Sequence, residues 1–198
     1  VIAPDVGGGF GSKIFVYPEE TAVIWAARRV RRPVKWTADR SESFLADAHG
    51  RDHVTQAELG LDADGRFVAL KVETVANLGA YLSLFGSSVP TYLYGTLLAG
   101  QYRTPNIHVE VHGVYTNTAP SGSYRAFGAS HVQWVGELQV DEVARRAGLD
   151  AVAIRRRNLL RPGEQVRPGG KPLDADLVGD VEKVAAALGW DEPRDPDT

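Results

Sequence analysis

The sequence predicts an α+β fold in which an antiparallel or mixed sheet, containing a hairpin, packs against separate helices. The hairpin is indicated by two runs of alternating apolar residues that flank Asp-Ala-Asp-Gly at residues 62–65, because Asp-Gly favours a tight turn between antiparallel strands. Helical periodicity occurs in other segments, over residues 19–30 and 131–149. Hairpin strands with separated helices favour α+β over a doubly wound parallel sheet.

The N-terminal region is predicted to hold a strand, a helix and a second strand in that order. Residues 1–3 indicate a short apolar strand that runs into a glycine-rich loop, and residues 34–36 indicate another strand. Between them, residues 19–30 indicate a helix that ends before Pro33, because proline interrupts a helix. The predicted inward face of this helix consists of Ala22, Val23, Ala26, Ala27 and Val30.

Strands are predicted wherever apolar and polar residues alternate, because successive side chains point to opposite faces of a sheet. The hairpin strands cover residues 53–61 and 67–81, and a half-buried strand covers residues 106–117. The face expected on the second hairpin strand consists of Val68, Leu70, Val72 and Thr74. In the third strand, the inward residues are expected to be Ile107, Val109 and Val111, and the outward ones His108, Glu110 and His112.

The C-terminal part is predicted to be helical. A long helix covers residues 131–149, with Gly148 as its C-terminal cap. Asp150 is expected to cap a second helix over residues 151–160. A short helix over residues 180–190 precedes a polar tail that is expected to fray. The predicted inward residues of the long helix are Val132, Val135, Leu138, Val143 and Ala147.

Composition excludes several classes of function. The 198-residue chain has a formal net charge of −3, so we expect neither nucleic acid nor a membrane surface as a partner. The absence of cysteine excludes disulfides, thiolate metal ligands and a cysteine nucleophile. Because the chain lacks methionine and begins with Val1, we expect it to be part of a larger polypeptide.

Residues 7–13, Gly-Gly-Gly-Phe-Gly-Ser-Lys, form a loop with little side-chain cover. A P-loop requires glycine directly before its lysine, whereas Ser12 precedes Lys13. A dinucleotide fingerprint requires glycine at position 12 and a helix directly after it, whereas the predicted helix begins at Glu19. Two interpretations remain. The backbone N–H groups of the loop bind an anionic oxygen, or the loop is only a tight turn after the predicted strand, with Phe10 packed in the core.

A second loop, residues 120–130, places Arg125 between the aromatic residues Tyr124 and Phe127. An arginine in such a loop is suited to stabilise negative charge that develops on a bound oxygen. The alternative is an ion pair between Arg125 and Glu137. We expect the two loops to approach each other at one edge of the sheet and to form one site.

The five histidines do not indicate a metal site. His108 and His112 are four residues apart on a predicted strand, and no His-x-x-x-His pair falls on a predicted helix. No elbow motif for a nucleophilic serine accompanies them. We therefore expect no side chain of this sequence to ligate a metal.

Three separate segments together resemble the molybdenum hydroxylases, the family of xanthine dehydrogenase and aldehyde oxidase. Residues 7–13 are similar to that family's Gly-Gly-Phe-Gly-x-Lys loop. Residues 115–130 are similar to its Tyr-Thr-Asn…Arg-Gly-Phe-Gly loop, with Ala126 in place of the usual glycine. Residues 136–160 are similar to its helix pair that ends in Arg-Asn, and the resemblance covers about residues 1–162.

The resemblance implies a first molybdopterin-binding domain over residues 1–162, followed by a connection and a short helix over residues 163–198. It implies that the first loop lies beside the oxo ligand of the metal, and that Arg125 stabilises charge near the substrate. The residues expected to contact the cofactor are Gly9, Phe10, Gly11 and Arg157. The general-base glutamate of this family lies beyond residue 198, so we expect the isolated chain to be inactive.

Two positions bear on the substrate that the resemblance implies. Ile14 and Phe127 are expected in the substrate pocket, and purine-oxidising members carry a glutamate where this chain has Ile14. Carbon monoxide dehydrogenases carry a cysteine in the second loop, which this sequence lacks. The expected reaction is therefore hydroxylation of an aldehyde or an aromatic N-heterocycle with water as the oxygen source.

The resemblance also implies cofactors and partners. The cofactor is a molybdenum–pterin, molybdopterin in a dinucleotide form, and iron–sulfur clusters and FAD reside on partner domains or subunits. The other expected partners are the remainder of the large subunit and a small-molecule substrate. The expected location is the cytoplasm. Two alternatives remain: a non-catalytic assembly domain with this fold, and a nucleotide-binding module, which the loop spacing disfavours.

Overall fold

The computed structural model describes residues 2–166 and 169–193, which form two compact units. The first unit comprises the described part of Val1–Thr55, with Glu73–Leu97 and Glu110–Val132. The second unit comprises Gln56–Val72, Leu98–Val109 and the described part of Gln133–Thr198. Helices and a sheet in one chain confirm the predicted α+β class.

The helices of the described residues agree in position with most of the sequence predictions. The α-helices are α1 (Pro18–Val30), α2 (Arg40–Ala46), α3 (Tyr94–Leu97), α4 (Ala129–Ala147), α5 (Ala151–Asn158) and α6 (Leu177–Ala187). A 3₁₀ turn covers Ser12–Ile14 and a π-helical segment covers Ser88–Leu93. The sequence did not predict α2, the π-helical segment or α3.

The described residues contain one three-stranded sheet in the order β1-β2-β3. The strands are β1 (His53–Leu61), β2 (Phe67–Gly79) and β3 (Asn106–Tyr115). The predicted hairpin between β1 and β2 is confirmed, and the Asp62 carboxylate closes its turn by accepting from the backbone N–H groups of Asp64 and Arg66, at 2.9 and 2.8 Å.

Burial along β2 agrees with the predicted face over most of its length. Val72 and Thr74 are buried and Leu70 is half-buried, whereas Val68, near the start of the strand, is 38% exposed. In β3, Val109 and Val111 are half-buried, but Ile107 is 38% exposed. The period-2 pattern therefore fails at the strand starts.

The core of the second unit contains residues of β2, α4 and α5, together with two buried residues outside these elements. Its buried members are Phe67, Tyr102, Val140, Ala144, Ile154 and Leu159. In α4, the inward prediction is wrong for Leu138, which is 49% exposed, and for Ala147, which is also exposed. Val140 and Ala144 lie four residues apart on one helical face, and this face belongs to the core.

The structure confirms the caps that the sequence predicts for the C-terminal helices. Gly148 follows α4 with a φ of 66°, as predicted. The Asp150 carboxylate accepts from the N–H groups of Val152 and Ala153 at 2.9 and 2.7 Å, so it satisfies two free donors at the start of α5. The predicted closing helix is observed as α6, and the predicted fraying tail falls partly on residues 194–198, outside the described residues.

Three N-terminal predictions need correction. Residues 34–36 are not in a strand, and neither are Ile2 and Ala3, while Val1 lies outside the described residues. A short apolar run becomes a strand only where another strand pairs with it. Helix α1 buries no residue; within its predicted inward face, Ala22 and Val30 are exposed.

Candidate functional site

The two glycine-containing loops meet in the first unit, as the sequence predicts. The backbone N–H of Arg125 donates to the carbonyl oxygen of Phe10 at 2.6 Å. The Arg125 guanidinium carbon lies 5.6 Å from the centroid of the Phe10 ring, within the range of a cation–π contact. One backbone bond and one side-chain contact therefore join the centres of the two loops.

Gly11 allows this close approach. It has a φ of 98°, and a Cβ placed there would lie 2.9 Å from the carbonyl oxygen of Ser123. Any other residue would meet both the strained backbone conformation and this clash. The glycine at position 11 therefore lets the first loop lie against the backbone of the second.

Both loops adopt backbone conformations that are rare for residues with a side chain. In the first loop Phe10 has a φ of 49°, and in the second Ala126 and Phe127 have φ values of 75° and 48°. Left-handed conformations of such residues cost energy and concentrate at functional sites. Their occurrence in two adjacent loops indicates a site for a ligand rather than simple connections.

The first loop leaves backbone donors free. Within the described residues, the N–H groups of Gly9, Phe10 and Gly11 donate to no protein acceptor. The Ser123 hydroxyl, fully buried beside Gly11, also lacks a partner there. Free donors around a small-residue loop fit a ligand rich in oxygen atoms.

Two alternatives from the sequence lose their support. The Phe10 side chain is 52% exposed, so it is not the core residue of a tight strand exit. Glu137, the alternative partner for Arg125, accepts from the Tyr102 hydroxyl at 2.9 Å and pairs with Arg155 at 2.8 Å. These contacts within the second unit account for the Glu137 carboxylate.

Of the predicted pocket residues, Phe127 lies on the second loop and Ile14 ends the 3₁₀ turn that follows the glycines of the first. Ile14 is 43% exposed and Phe127 is 38% exposed. The Phe127 ring packs edge-on against Phe85, with centroids 6.2 Å apart. Both side chains are accessible to a ligand, and their contact with a substrate stays a prediction.

Arg157 belongs to the second unit. Its guanidinium donates to the carbonyl oxygen of Asp64 in the hairpin turn. It also lines a cavity of about 430 Å³ together with Arg66 and Arg103. The predicted contact between Arg157 and the pterin stays a prediction.

A histidine pair beside the second loop is absent from the sequence predictions. The rings of His53 and His131 lie 4.4 Å apart between centroids, and their buried nitrogens form no hydrogen bond within the described residues. Burial, His53 and Arg51 lower the pKa of His131 from 6.5 to about 4. Burial also lowers the pKa of His53. Residues 78 positions apart in sequence give no local signal of such a pair.

The structure also bears on metals and membranes. Within residues 2–166 and 169–193, no group of three or more His, Asp or Glu side chains is arranged to hold a metal ion. Among the helices of the same residues, none has the length and apolar character needed to cross a membrane.

Comparisons with known proteins agree with the fold. Quinoline 2-oxidoreductase from Pseudomonas putida 86 has a similar structure, with a TM-score of 0.87 and 33% identity over 95% of this chain and 24% of that one. Subunit gamma of the 6-hydroxypseudooxynicotine dehydrogenase complex from Paenarthrobacter nicotinovorans is 39% identical over 79% of this chain. The carbon monoxide dehydrogenase large chain of Hydrogenophaga pseudoflava is 37% identical over 81% of this chain.

These similarities define a cofactor-binding domain. The sequence profile of the molybdopterin cofactor-binding domain matches residues 1–159. The chain therefore belongs to the molybdopterin cofactor-binding domain family, found in the large subunits of molybdenum hydroxylases. It spans about a fifth of the length of the two sequence relatives, 20% of each.

Proposed function

We propose that this chain forms part of a molybdenum hydroxylase that hydroxylates an aldehyde or an aromatic N-heterocycle with water as the oxygen source. The proposal depends on one observation above all, the joining of Phe10 and Arg125. The backbone bond of 2.6 Å between them brings free backbone donors and an arginine side chain to one exposed surface. Such an arrangement suits an anionic cofactor on one side and a substrate that gains negative charge on the other.

The residues of this chain have separate tasks in the proposal. The N–H groups of Gly9, Phe10 and Gly11 would hold the molybdenum–pterin cofactor, and the contact of Arg157 with a pterin is a separate proposal for the second unit. When bound, the cofactor supplies the redox chemistry by which oxygen from water is added to the substrate. Arg125 stabilises the negative charge that forms on the substrate during this addition.

Ile14 and Phe127 support the proposed substrate class. Both are apolar and partly exposed, so they suit the face of an aromatic ring or the chain of an aldehyde. A similar structure is named a quinoline 2-oxidoreductase, and quinoline is an aromatic N-heterocycle. The sequence has no cysteine, which disfavours the copper–sulfur chemistry of carbon monoxide dehydrogenases.

The proposal requires partners. One relative is named as a subunit of a dehydrogenase complex, which supports assembly with other subunits, and we propose that these carry iron–sulfur clusters and FAD. The general base would come from another part of the large subunit. We therefore expect the chain alone to bind no cofactor tightly and to show no turnover.

The cofactor content of variants tests directly whether the first loop binds the cofactor. In the whole enzyme, Gly11→Ala should lower the ratio of molybdenum to protein, because its Cβ would lie 2.9 Å from the Ser123 oxygen and separate the loops. Gly7→Ala is the matched control, because no atom lies within 4 Å of a Cβ at Gly7. Equal molybdenum and pterin content in both variants and the wild type would contradict the assignment of the first loop to the cofactor.

A further inference from the structure

We propose that Arg51 is a positioning residue that holds the second loop and thereby fixes the Arg125 guanidinium in the site. This inference rests on the proposed charge-stabilising role of Arg125. Arg51 lies outside all three segments that resemble the family's motifs. Its assignment comes from its contacts in the first unit.

The Arg51 guanidinium spans the second loop from its centre to the start of α4. Its Nη2 donates to the carbonyl oxygen of Arg125 at 2.9 Å and approaches that of Tyr124 at 3.4 Å. Its Nε donates to the Ser130 hydroxyl at 2.8 Å. One planar group therefore ties Arg125 itself to the first turn of a helix, which is the more rigid element.

A stacking contact adds to these hydrogen bonds. The Arg51 guanidinium carbon lies 4.5 Å from the centroid of the Tyr124 ring. Arginine presents several donors in a fixed plane and stacks on aromatic rings, whereas lysine is a single flexible point charge. The combination of stacking with two donor directions is specific to arginine.

The backbone around Arg51 is also fitted to the second loop. The His49 N–H donates to the Pro120 oxygen at 2.9 Å, and the Gly122 N–H donates to the His49 oxygen at 2.7 Å. A Cβ at Gly50 would lie 2.6 Å from the Tyr124 Cβ. Arg51 itself has a φ of 66°, a conformation rare for a residue with a side chain. This segment directs the guanidinium across the loop.

The acceptors of Arg51 are uncharged. Within the described residues, neither Arg51 nor Arg125 forms an ion pair with a carboxylate. Arg51 therefore orders the loop backbone through neutral carbonyl and hydroxyl acceptors. The Arg125 guanidinium, which lies over the Phe10 ring, keeps its positive charge for a substrate, while Arg51 binds the Arg125 carbonyl oxygen.

The test uses the whole enzyme and four variants. Arg51→Ala removes the contacts, Arg51→Gly removes them and also relieves the left-handed backbone, and Arg51→Lys keeps the charge. Arg28→Ala, at an exposed position of α1, is the control. We expect kcat to fall about 10- to 100-fold in the Ala and Gly variants, because small misplacements of catalytic groups have effects of this size. KM should change less, and Arg51→Lys should recover only part of kcat.

Hydrogen exchange gives a readout that does not require turnover. The peptide that covers residues 121–130 should exchange faster in all three Arg51 variants than in the wild type and in Arg28→Ala. If Arg51→Ala does not fold, Arg51→Lys keeps the test decisive, because it retains the charge and most of the side chain. Unchanged kcat and unchanged exchange in the Arg51 variants would overturn the inference.

The variant Arg125→Ala separates this inference from the proposed function. Loss of kcat in Arg125→Ala with wild-type behaviour of the Arg51 variants would refute only the positioning role. Wild-type kcat in Arg125→Ala would refute the charge-stabilising role on which the inference rests. Loss of kcat in both, with faster exchange of the loop only in the Arg51 variants, is the expected result.

Discussion

The backbone N–H of Arg125 lies 2.6 Å from the carbonyl oxygen of Phe10 and donates to it. This bond joins residues that are far apart in sequence, at the centres of two loops with left-handed backbone conformations. The Arg125 guanidinium lies over the Phe10 ring. A change in either loop is therefore expected to affect the other.

Strain in the second loop predicts a stabilising substitution. Ala126 has a φ of 75°, a left-handed conformation that costs a residue with a side chain about 1–2 kcal/mol and costs glycine little. Glycine also makes the unfolded chain more flexible, which lowers stability by about 0.4–1 kcal/mol. Ala126→Gly should therefore raise the free energy of unfolding by about 0.5–1 kcal/mol, measured by denaturant titration. Ala119→Gly, directly before this loop and without a positive φ, should lower it. Equal effects of the two variants would contradict the strain.

A second prediction concerns Asn158, the residue after Arg157. Its amide is 2% exposed, accepts from the Phe67 N–H and donates to the carbonyl oxygens of Gly65 and Ile154, each at 2.9 Å. Asn158→Ala should lower the free energy of unfolding by at least about 2 kcal/mol, because it leaves buried polar groups unpaired.

The matched control for Asn158 is Asn106. Its exposed amide donates to the Val68 carbonyl oxygen at 2.9 Å, where water can replace it. Asn106→Ala should therefore cost less than about 1 kcal/mol. Equal costs for Asn106→Ala and Asn158→Ala in thermal or urea unfolding would show that burial of Asn158 does not matter.

Local signals made much of the fold predictable. The Asp-Gly turn, the Asp150 cap and the Gly148 terminus depend on a few consecutive residues, and the structure confirms all three. The strand predicted over residues 34–36 is wrong, because a strand also requires a partner that the local sequence does not specify. The inward face of α4 was predicted only in part, because the elements that pack on a helix select its buried positions.

The site was predictable only where consecutive residues carry its signals. Glycine, aromatic and basic residues in two loops indicated the proximity of Phe10 and Arg125. Arg51 was not predictable, because the residues that it binds lie 73 to 79 positions away. The histidine pair beside the second loop likewise depends on the fold rather than on a motif.

The histidine pair predicts a dependence of stability on pH. The pKa of His131 is lowered from 6.5 to about 4 by burial, His53 and Arg51. The unfolded chain therefore binds a proton that the folded chain does not, so stability is full above pH 6.5 and is lost as the pH falls towards about 4. The melting temperature of His131→Gln should fall less over this range than that of the wild type.

The neighbours of His131 and a control make this test specific. Asp52 is the carboxylate near the pair and raises the pKa of His53, against the larger effect of burial. His108→Gln changes an exposed histidine of β3 and should leave the wild-type pH profile unchanged. Identical profiles for His131→Gln and the wild type would contradict a buried, neutral His131.

A further prediction concerns the choice of substrate. Ile14→Glu should lower kcat/KM for apolar aldehydes by about tenfold or more, because a desolvated carboxylate costs at least 1–3 kcal/mol, and it should admit purine rings. Val16→Glu is the control, because Val16 is 78% exposed. Steady-state kinetics of the whole enzyme with both substrate classes would test this. Equal losses in both variants would contradict a role of Ile14 in the pocket.

The most direct test of the central claim is the kinetics of Arg125→Ala in the whole enzyme, with melting temperature measured on the same samples. Removing a group that stabilises transition-state charge should lower kcat by about 10- to 1,000-fold. KM should change less, because the contact strengthens only in the transition state, and the melting temperature should stay near that of the wild type. A wild-type kcat together with a clearly lower melting temperature would contradict the claim and assign Arg125 a structural role.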